Sequence, residues 1–394
     1  MATKQPLKKK EVKKPTLSSF KEKMGLTTTK ASNADKPMEW LTMPKAYQDV
    51  MKLPGIPLGY VTTIVGHSNT GKSTLINHAV VAAQKQGLIP VIYDTENNFD
   101  FTYAIDMGME AEPVYEDVEV FDDATGESRI ERQITRYDGD FIYFNNTLLA
   151  ERYGNIDYQK GVETAKYRTV AVLEDIAYSI NELLDAQDNG DIETGFVFIW
   201  DSVGSIQSMK SYASKVGNAM FDAASISTAF TSILNDRIPR TRKTSCPYFN
   251  TMILVNKVWL DSMTNPVAPP SIELKGGRSI FYAARLIILM GGQLKSSVKR
   301  LTAISKGSTY QYGTQTKIKV LKNQLPAPFT VTYEGDLVCT PIGFVGADKD
   351  SLEQYRKDHA GEILKKLNEV ADSFGSQHIS AEDVKFVDQE DSGE

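Results

Sequence analysis

The fold is decided by one stretch of the sequence, Tyr60-Val-Thr-Thr-Ile-Val-Gly66-His-Ser-Asn-Thr-Gly71-Lys72-Ser73. It begins as a β-branched run, which favours a strand, and passes into a loop that fits G-x-x-x-x-G-K-[ST] without a mismatch. A helical pattern follows from Ser73 to Gln86, Gly87 ends it, and a second apolar run begins at Pro90. Strand, loop, helix and strand within about thirty residues predict a right-handed βαβ unit and therefore a parallel sheet.

The loop between these strands predicts a phosphate-binding site. Its glycines let the backbone curl so that N–H groups and the helix N-terminus face phosphates, while Lys72 reaches the β and γ groups and Ser73 binds Mg²⁺. ATP and Mg²⁺ are the expected cofactors, and a glycine-rich turn without a ligand is the alternative. The predicted nucleotide-binding residues of the loop are Gly66, His67, Ser68, Asn69, Thr70, Gly71, Lys72, Ser73 and Thr74.

Two acidic residues follow strands of the same predicted sheet. Asp201 ends the apolar run that starts at Gly195 and is a candidate metal ligand. Glu96 follows the second strand, where its carboxylate would position the water that attacks a γ-phosphate. A turn or cap for Asp201 and an exposed loop acid for Glu96 are the alternatives. Because parallel strands converge on a ligand at their carboxyl ends, the catalytic interpretation is favoured.

Composition and charge narrow the class of protein. The 394 residues are 41% hydrophobic, which is enough for one large domain with appendages or for two domains. Cys246 and Cys339 have no metal-ligand spacing and fit a reducing cytoplasm. No apolar run suits a secretory signal or a membrane span. The net charge of −6 argues against a protein coated in basic surface but does not exclude nucleic acid.

The chain divides into three parts in this interpretation. Residues 1–36 predict a basic flexible arm, with a short helix at Ser18–Met24, and residues 37–345 predict the core. Acidic alternating segments around the turn signal at Asp123–Gly126 indicate a β-hairpin inserted at about 111–140. Residues 346–394 predict a helical segment and an acidic C-terminal tail. In one interpretation both tails are solvated chain. In the other, the basic arm touches phosphate and the acidic tail competes with it. Further core elements are expected as strands at Phe141–Phe144, Thr251–Asn256, Ala284–Met290, Lys317–Leu321 and Phe329–Tyr333, and as a helix at Thr169–Ala186.

From about residue 40 to 345, apart from the insertion, the sequence resembles bacterial RecA and the phage UvsX recombinases. The resemblance rests on a lead-in, an acidic segment, a double-glycine loop and a late strand. These are Pro54-Gly-Ile-Pro-Leu-Gly59, Asp94-Thr-Glu96-Asn-Asn-Phe-Asp100-Phe-Thr-Tyr103-Ala104, Lys275-Gly276-Gly277-Arg278 and Lys317-Ile-Lys-Val-Leu-Lys322-Asn323-Gln324-Leu-Pro-Ala-Pro-Phe329. It implies an α/β RecA-like P-loop core, a mostly parallel twisted sheet with helices on both faces.

The resemblance also implies roles at the nucleotide. Glu96 is similar to the catalytic glutamate, and Asp100 with Tyr103 to residues that contact adenine; a core aromatic is the alternative for Tyr103. Asn256 and Lys257 match the γ-phosphate sensor, although the family has glutamine where Lys257 stands.

Lys322 is similar to a lysine that reaches the ATP of the neighbouring subunit. A second family lysine is replaced here by Gln324, which implies slower hydrolysis or a substitute such as Lys319. The expected catalytic set is therefore Glu96, Lys72 and Lys322.

Two loops are expected to face DNA, at about Ser205–Asn218 and Trp259–Lys275. Basic groups there would take phosphates and large apolar groups would wedge between bases, with ordinary surface loops as the alternative. The predicted DNA-binding residues are Met209, Lys210, Lys215, Trp259, Met263, Lys275, Gly276, Gly277 and Arg278.

The resemblance implies an ATP-dependent DNA recombinase that forms filaments on single-stranded DNA, pairs it with double-stranded DNA and exchanges strands. Its expected partners are DNA, further copies of itself, and single-strand-binding and mediator proteins. We expect a cytoplasmic location, in the host if the chain is phage-encoded. A hexameric helicase-type motor and a non-recombining ATPase, an annealing or packaging accessory, are the alternatives.

Overall fold

The computed structural model describes residues 34–122, 126–158, 160–164, 167–214, 219–261, 271–273, 277–292, 298–330, 332–374 and 378–390. The helix expected at Ser18–Met24 lies outside these residues. The strands are β1 (Trp40–Thr42), β2 (Gly55–Pro57), β3 (Val61–Gly66), β4 (Ile89–Asp94), β5 (Glu112–Asp122), β6 (Glu127–Asp138), β7 (Ile142–Asn145), β8 (Ile156–Asp157), β9 (Val162–Glu163), β10 (Phe196–Asp201), β11 (Thr251–Lys257), β12 (Trp259–Asp261), β13 (Ser271–Glu273), β14 (Leu286–Met290), β15 (Lys299–Ser305), β16 (Ser308–Asn323), β17 (Glu334–Thr340), β18 (Gly343–Gly346) and β19 (Lys385–Glu390).

The α-helices lie between these strands in the chain. They are α1 (Lys45–Met51), α2 (Lys72–Lys85), α3 (Phe101–Asp106), α4 (Asn146–Tyr153), α5 (Leu173–Asp188), α6 (Met209–Ser214), α7 (Ala219–Ala229), α8 (Gly277–Ala283), α9 (Lys349–Asp358) and α10 (Ala360–Ser373). None of the helices in the described ranges is both long and apolar enough to cross a membrane.

One large sheet organises the chain. Its strands follow the order β18-β17-β16-β14-β3-β11-β10-β4-β7, with β15 beside β16 and β19 beside β15. The run from β14 to β7 is parallel, and the strands beyond β14 are antiparallel. The prediction of an α/β fold with a mostly parallel central sheet is confirmed.

Helices cover both faces of the parallel strands, which is why those strands are apolar throughout. In β3, Ile64 packs in the core that contains α1 and α2, whereas the next residue, Val65, packs in the core that contains α4, α5 and α7. A third core joins α9 and α10 to β15 and β16, around Leu301, Tyr312 and Leu367.

Most of the predicted elements are present, and one strand is wrong. β5 and β6 form the hairpin that the acidic alternating pattern indicated. Phe329–Tyr333, expected as a strand, contains no strand among its described residues, and the strand begins at Glu334. The Asn323 side chain binds the Phe329 carbonyl at 2.7 Å, so a side chain satisfies this group where a neighbouring strand would.

The C-terminal part differs from a simple tail. Two helices, α9 and α10, follow the core as expected, but Lys385–Glu390 then returns as strand β19 and pairs antiparallel with β15. The acidic residues Asp388 and Glu390 therefore lie on the edge of the sheet, opposite Leu301 and Lys299.

Candidate nucleotide-binding site

The candidate phosphate-binding loop connects β3 to α2. Asn69 and Gly71 have left-handed φ angles of 60° and 88°. A Cβ on Gly71 would lie 2.3 Å from Cys339 Sγ, so both the backbone angle and the packing require glycine there. Inside the loop, the Thr70 hydroxyl donates to the His67 carbonyl at 2.8 Å and the Lys72 ammonium donates to the same oxygen at 2.5 Å. The lysine thus lies over the loop at the start of the helix.

The strand register brings the predicted acidic residues to the same edge as the loop. Lys257 at the end of β11 is opposite Gly66, and Asp201 at the end of β10 is opposite Asp94 at the end of β4. Burial raises the pKa of Asp201 to about 6, and the nearby Glu96 charge adds to the effect. Burial lowers the pKa of Lys72, while Asp201 and Glu96 oppose that shift.

Asp94 has a different task from Asp201. One of its oxygens accepts from the Asn98 amide at 3.0 Å, and the other accepts from the Phe99 amide at 2.9 Å and the Tyr143 hydroxyl at 3.0 Å. Asp94 therefore holds the loop that presents Glu96.

A hydroxyl network fixes the other side of this loop. The Thr95 amide donates to the Asp201 carbonyl at 2.8 Å, and the Asn146 amide group donates to the Thr95 carbonyl at 3.0 Å. Thr95 Oγ1 also lies 2.5 Å from Ser205 Oγ, at the start of the first predicted DNA loop. The segment carrying Glu96 is thus bonded to β10, α4 and that loop.

Glu96 has three polar partners. The Ser202 hydroxyl donates to its Oε1, and Lys257 Nζ lies 3.0 Å from the same oxygen. The Asn98 side-chain amide donates to the other oxygen, Oε2, at 3.4 Å. Burial by itself would raise the pKa of Glu96, but the Ser202 hydrogen bond and the Lys257 charge outweigh it and hold the pKa below its usual range. The carboxylate is therefore ionised near neutral pH and ion-paired with a half-exposed lysine.

The residues expected at adenine have structural bonds of their own. Asp100 caps α3 by accepting from the Tyr103 amide at 3.0 Å. The Tyr103 hydroxyl donates to the Thr340 carbonyl at 3.0 Å and accepts from the Thr74 hydroxyl at 2.9 Å. Burial raises the pKa of Tyr103 to about 12. Tyr103 thereby joins α2 to β17, and its contact with adenine stays a prediction.

A cavity of about 520 Å³ lies beside the loop and is within the size range of small-ligand sites. Asn69, Gly71, Ser73 and Thr74 line one side of it. The other side comes from the late part of the chain, and the sequence reasoning missed these residues because no local motif marks them. They are Val298, Arg300, Gln311, Thr314 and Cys339.

Hard oxygen donors in this site suit a divalent cation. Ser73 is the second residue of α2 and Asp201 ends β10, and a buried carboxylate with a raised pKa is a group that a cation would stabilise. In the part of the chain that the structure describes, no group of three or more His, Cys, Asp or Glu could hold a metal ion. Two oxygen ligands completed by phosphates are the usual arrangement for Mg²⁺.

Lys322 lies away from its own phosphate loop. It is opposite Ile287 of β14, which is opposite Thr63 of β3, three residues and about 10 Å before Gly66. Its ammonium donates to the Phe281 carbonyl at 2.5 Å and lies 4.6 Å from the Phe281 ring centre. Lys319, the expected substitute for the missing second lysine, is also engaged, because its ammonium pairs with Glu334 at 3.0 Å.

The first predicted DNA loop contains helix α6, so it is only partly a loop. The Met209 amide donates to Glu174 at 2.8 Å, and the Lys210 ammonium lies 4.1 Å from the Phe221 ring centre. Lys215 lies outside the described residues.

The second predicted DNA loop begins as β12, which pairs with β13. Trp259 therefore stands two residues after Lys257, the ion-pair partner of Glu96. Gly277 and Arg278 begin α8, whereas Met263, Lys275 and Gly276 lie outside the described residues.

The parallel sheet and the loop between β3 and α2 define the class, a P-loop protein of the α/β type. A family model of the RecA N-terminal domain matches residues 34–133. The Protein RecA of Synechococcus elongatus is 23% identical over 313 residues, 79% of this chain and 65% of that protein. The Protein RecA of Crocosphaera subtropica is 22% identical over 300 residues, 76% of this chain and 65% of that protein.

A shorter stretch of 56 residues is 46% identical to the Protein RecA of Chlorobaculum tepidum, covering 14% of this chain and 16% of that protein. The chain therefore spans less than two thirds of the length of these curated relatives. Together with the fold, these matches support a RecA-like family for the chain.

Proposed function

We propose that the chain is an ATP-dependent DNA recombinase that assembles as a filament on single-stranded DNA and pairs it with a homologous duplex. The observation that carries the proposal is the edge of the sheet where Lys72, Asp201 and Glu96 converge and from which Lys257 leads into β12. The similarity of the chain to RecA proteins supports it. The proposed arrangement is a basic arm, residues 1–36, a core, residues 37–345, and a C-terminal part, residues 346–394, in a cytoplasmic protein.

In the proposed reaction, the loop amides and Lys72 bind the β- and γ-phosphates, and Ser73 and Asp201 hold Mg²⁺. When bound, Mg²⁺ neutralises charge that develops on the phosphate oxygens. Glu96 orients the attacking water, a positioning task that needs an ionised carboxylate, which its lowered pKa provides. Asp100 and Tyr103 border the nucleotide, with Tyr103 holding α2 in place.

Lys257 gives this site a sensor of its own kind. In the structure its ammonium neutralises Glu96. An arriving γ-phosphate offers Lys257 a second anion, so the ammonium would leave Glu96 for phosphate as the site fills. Asn256, buried in the same strand, and Lys257 precede β12, so this exchange would be transmitted to the second DNA loop.

Lys257→Ala should therefore uncouple ATP from DNA binding, and alanine is chosen because glutamine is the residue that the RecA family has at this position. We expect the ATP-dependent gain in affinity for single-stranded DNA to fall about tenfold or more, a loss of about 1.4 kcal/mol of coupling. The acid limb of the pH profile of kcat/KM, which reports the protein without ATP, should also move to higher pH, because losing the cation raises the pKa of Glu96. Fluorescence anisotropy with labelled DNA, with and without ATP, measures the first effect.

Lys349→Ala, on the exposed start of α9, is the matched control and should change neither quantity. A Lys257→Ala protein with the full ATP-dependent gain would remove the sensor from the proposal.

Lys322 is proposed to act on the ATP of a neighbouring subunit, because its register places it away from its own loop. Lys322→Ala should then lower hydrolysis by on the order of a hundredfold, the cost of losing a transition-state cation. Mixing it with Lys72→Ala should restore activity, since one interface then combines an intact loop with an intact Lys322. Phosphate release from the mixture, compared with the sum of the separate proteins, measures the rescue.

Lys366→Ala, in the surface pair with Glu369, is the control. It should change the free energy of unfolding by at most about 0.5 kcal/mol and leave hydrolysis at the parent rate. Near-normal DNA-stimulated hydrolysis by Lys322→Ala would remove the shared site, and with it the main structural support for a filament.

Electron microscopy tests the proposal as a whole. With single-stranded DNA and a non-hydrolysable ATP analogue, we expect helical filaments. The two predicted DNA loops of each subunit would form part of a continuous groove, and such a groove binds DNA tightly only when many subunits line up. Closed rings would favour the helicase-type motor, and no assembly would favour a non-recombining accessory ATPase. Single-strand-binding proteins and mediator proteins are the further partners in this proposal.

A further inference from the structure

The β5–β6 hairpin presents one apolar face to solvent. In the sheets formed by the described residues, β5 and β6 pair only with each other. The register places Tyr115 opposite Ile134, and Phe121 opposite Ser128, two residues from Ile130, so all four apolar residues lie on the same side of the ribbon. These side chains are 48%, 44%, 61% and 75% exposed, respectively. We call these four residues the outer face of the hairpin. An isolated two-stranded ribbon is marginally stable, so a covering segment would stabilise it.

The hairpin also carries a surplus of negative charge. Residues 112–138 contain nine Asp and Glu but three Arg. The arginines are used within the hairpin: Arg136 contacts Glu116 at 2.8 Å, Arg129 contacts Glu131 at 2.6 Å, and Arg132 lies over the Tyr115 ring at 5.4 Å. A segment that covers the outer face must therefore combine apolar side chains with positive charge.

Residues 1–33 of the same chain have that composition. They contain nine Lys but two Glu, together with the apolar residues Leu7, Val12, Leu17, Phe20 and Met24. Nine lysines against two acids complement nine acids against three arginines.

Both segments start from the same edge of the sheet. Ala34 accepts from the Thr244 amide at 2.8 Å, seven residues before β11 begins, and the hairpin ends four residues before β7 begins. β11, β10, β4 and β7 are parallel neighbours, so the starts of β11 and β7 are about 14 Å apart. A 33-residue segment can extend about 110 Å, and each hairpin strand is about 37 Å long. A tether of this kind gives an effective concentration in the millimolar range, which favours the hairpin of the same chain over that of a second copy.

We propose that residues 1–33 dock on the outer face of the β5–β6 hairpin of their own chain. Lysines of the segment pair with the hairpin carboxylates, and its apolar residues cover Tyr115, Phe121, Ile130 and Ile134. Docking occupies lysines that would otherwise be open to polyphosphates.

Carbodiimide coupling tests the contact, because it joins amines to carboxylates only when they touch. The full chain is treated at low micromolar concentration without DNA or nucleotide, as an equal mixture of ¹⁴N and ¹⁵N protein, and the linked peptides are read by mass spectrometry. Links between Lys8–Lys14 and Glu116–Glu119, each within one isotope, are expected. At 0.5 M salt their yield should fall about fivefold, since the Debye length shrinks to a few Å.

A double variant, Ile130→Ser with Ile134→Ser, separates docking from unspecific charge attraction. It should lower the yield of the links by about fivefold, whereas Val118→Ser, on the opposite side of the ribbon, should leave the yield unchanged. The proposal is overturned if the wild-type chain gives no links between the segment and the hairpin. It is equally overturned if the links are mostly of mixed isotope, since the occupant would then be a second copy.

Discussion

Lys72→Ala is expected to abolish ATP turnover, by on the order of a thousandfold or more, while the protein stays folded. The Lys72 ammonium donates to the His67 carbonyl and lies near the carboxylates of Asp201 and Glu96. Its loss removes the cation that would bind the transferring phosphoryl group. Steady-state phosphate release measures turnover, and circular dichroism measures the fold.

Lys85→Ala is the matched control, because Lys85 is exposed at the other end of the same helix. It should hydrolyse ATP at the parent rate. A folded Lys72→Ala protein that did the same would show that the nucleotide site has been placed wrongly.

Glu96→Gln should separate binding from hydrolysis. Glutamine keeps the shape and the acceptor for the Ser202 hydroxyl but cannot polarise water, so hydrolysis should fall by on the order of 10²- to 10³-fold. ATP should still bind, because the variant leaves Lys257 without its carboxylate partner and available to phosphate. The protein should then assemble on DNA and dissociate slowly, which stopped-flow release from labelled DNA measures.

Glu110→Gln, an exposed acid beyond α3, serves as the control and should release DNA at the parent rate. Rapid release of Glu96→Gln in the presence of ATP would contradict the role given to Glu96.

The parts of the site that the sequence predicted are those in which neighbours in the chain are neighbours in space. The loop from Gly66 to Ser73 needs only a strand before it and a helix after it, and both follow from local pattern. Asp201 was found for a similar reason, because it ends a conspicuous apolar strand and parallel strand ends meet at one edge.

The parts that the sequence did not predict depend on register and on distant segments. The ion pair of Glu96 with Lys257 requires β11 to be aligned with β3 so that Lys257 is opposite Gly66. Arg300 and Gln311 reach the cavity only because β15 and β16 fold back beside the loop. The strand expected at Phe329–Tyr333 failed because a side chain, Asn323, took the place of a neighbouring strand.

The contact of the Thr95 hydroxyl with Ser205 would link the free energy of nucleotide binding to the free energy of DNA binding. Thr95 is adjacent to Glu96, and Ser205 opens the first predicted DNA loop, so a short bond connects the segment that carries Glu96 to that loop. If the binding of one ligand moves this contact, the binding free energy of the other ligand changes. By equilibrium linkage the two effects are equal. Whatever factor a nucleotide contributes to the affinity for a nucleic acid strand, the strand must contribute the same factor to the affinity for the nucleotide.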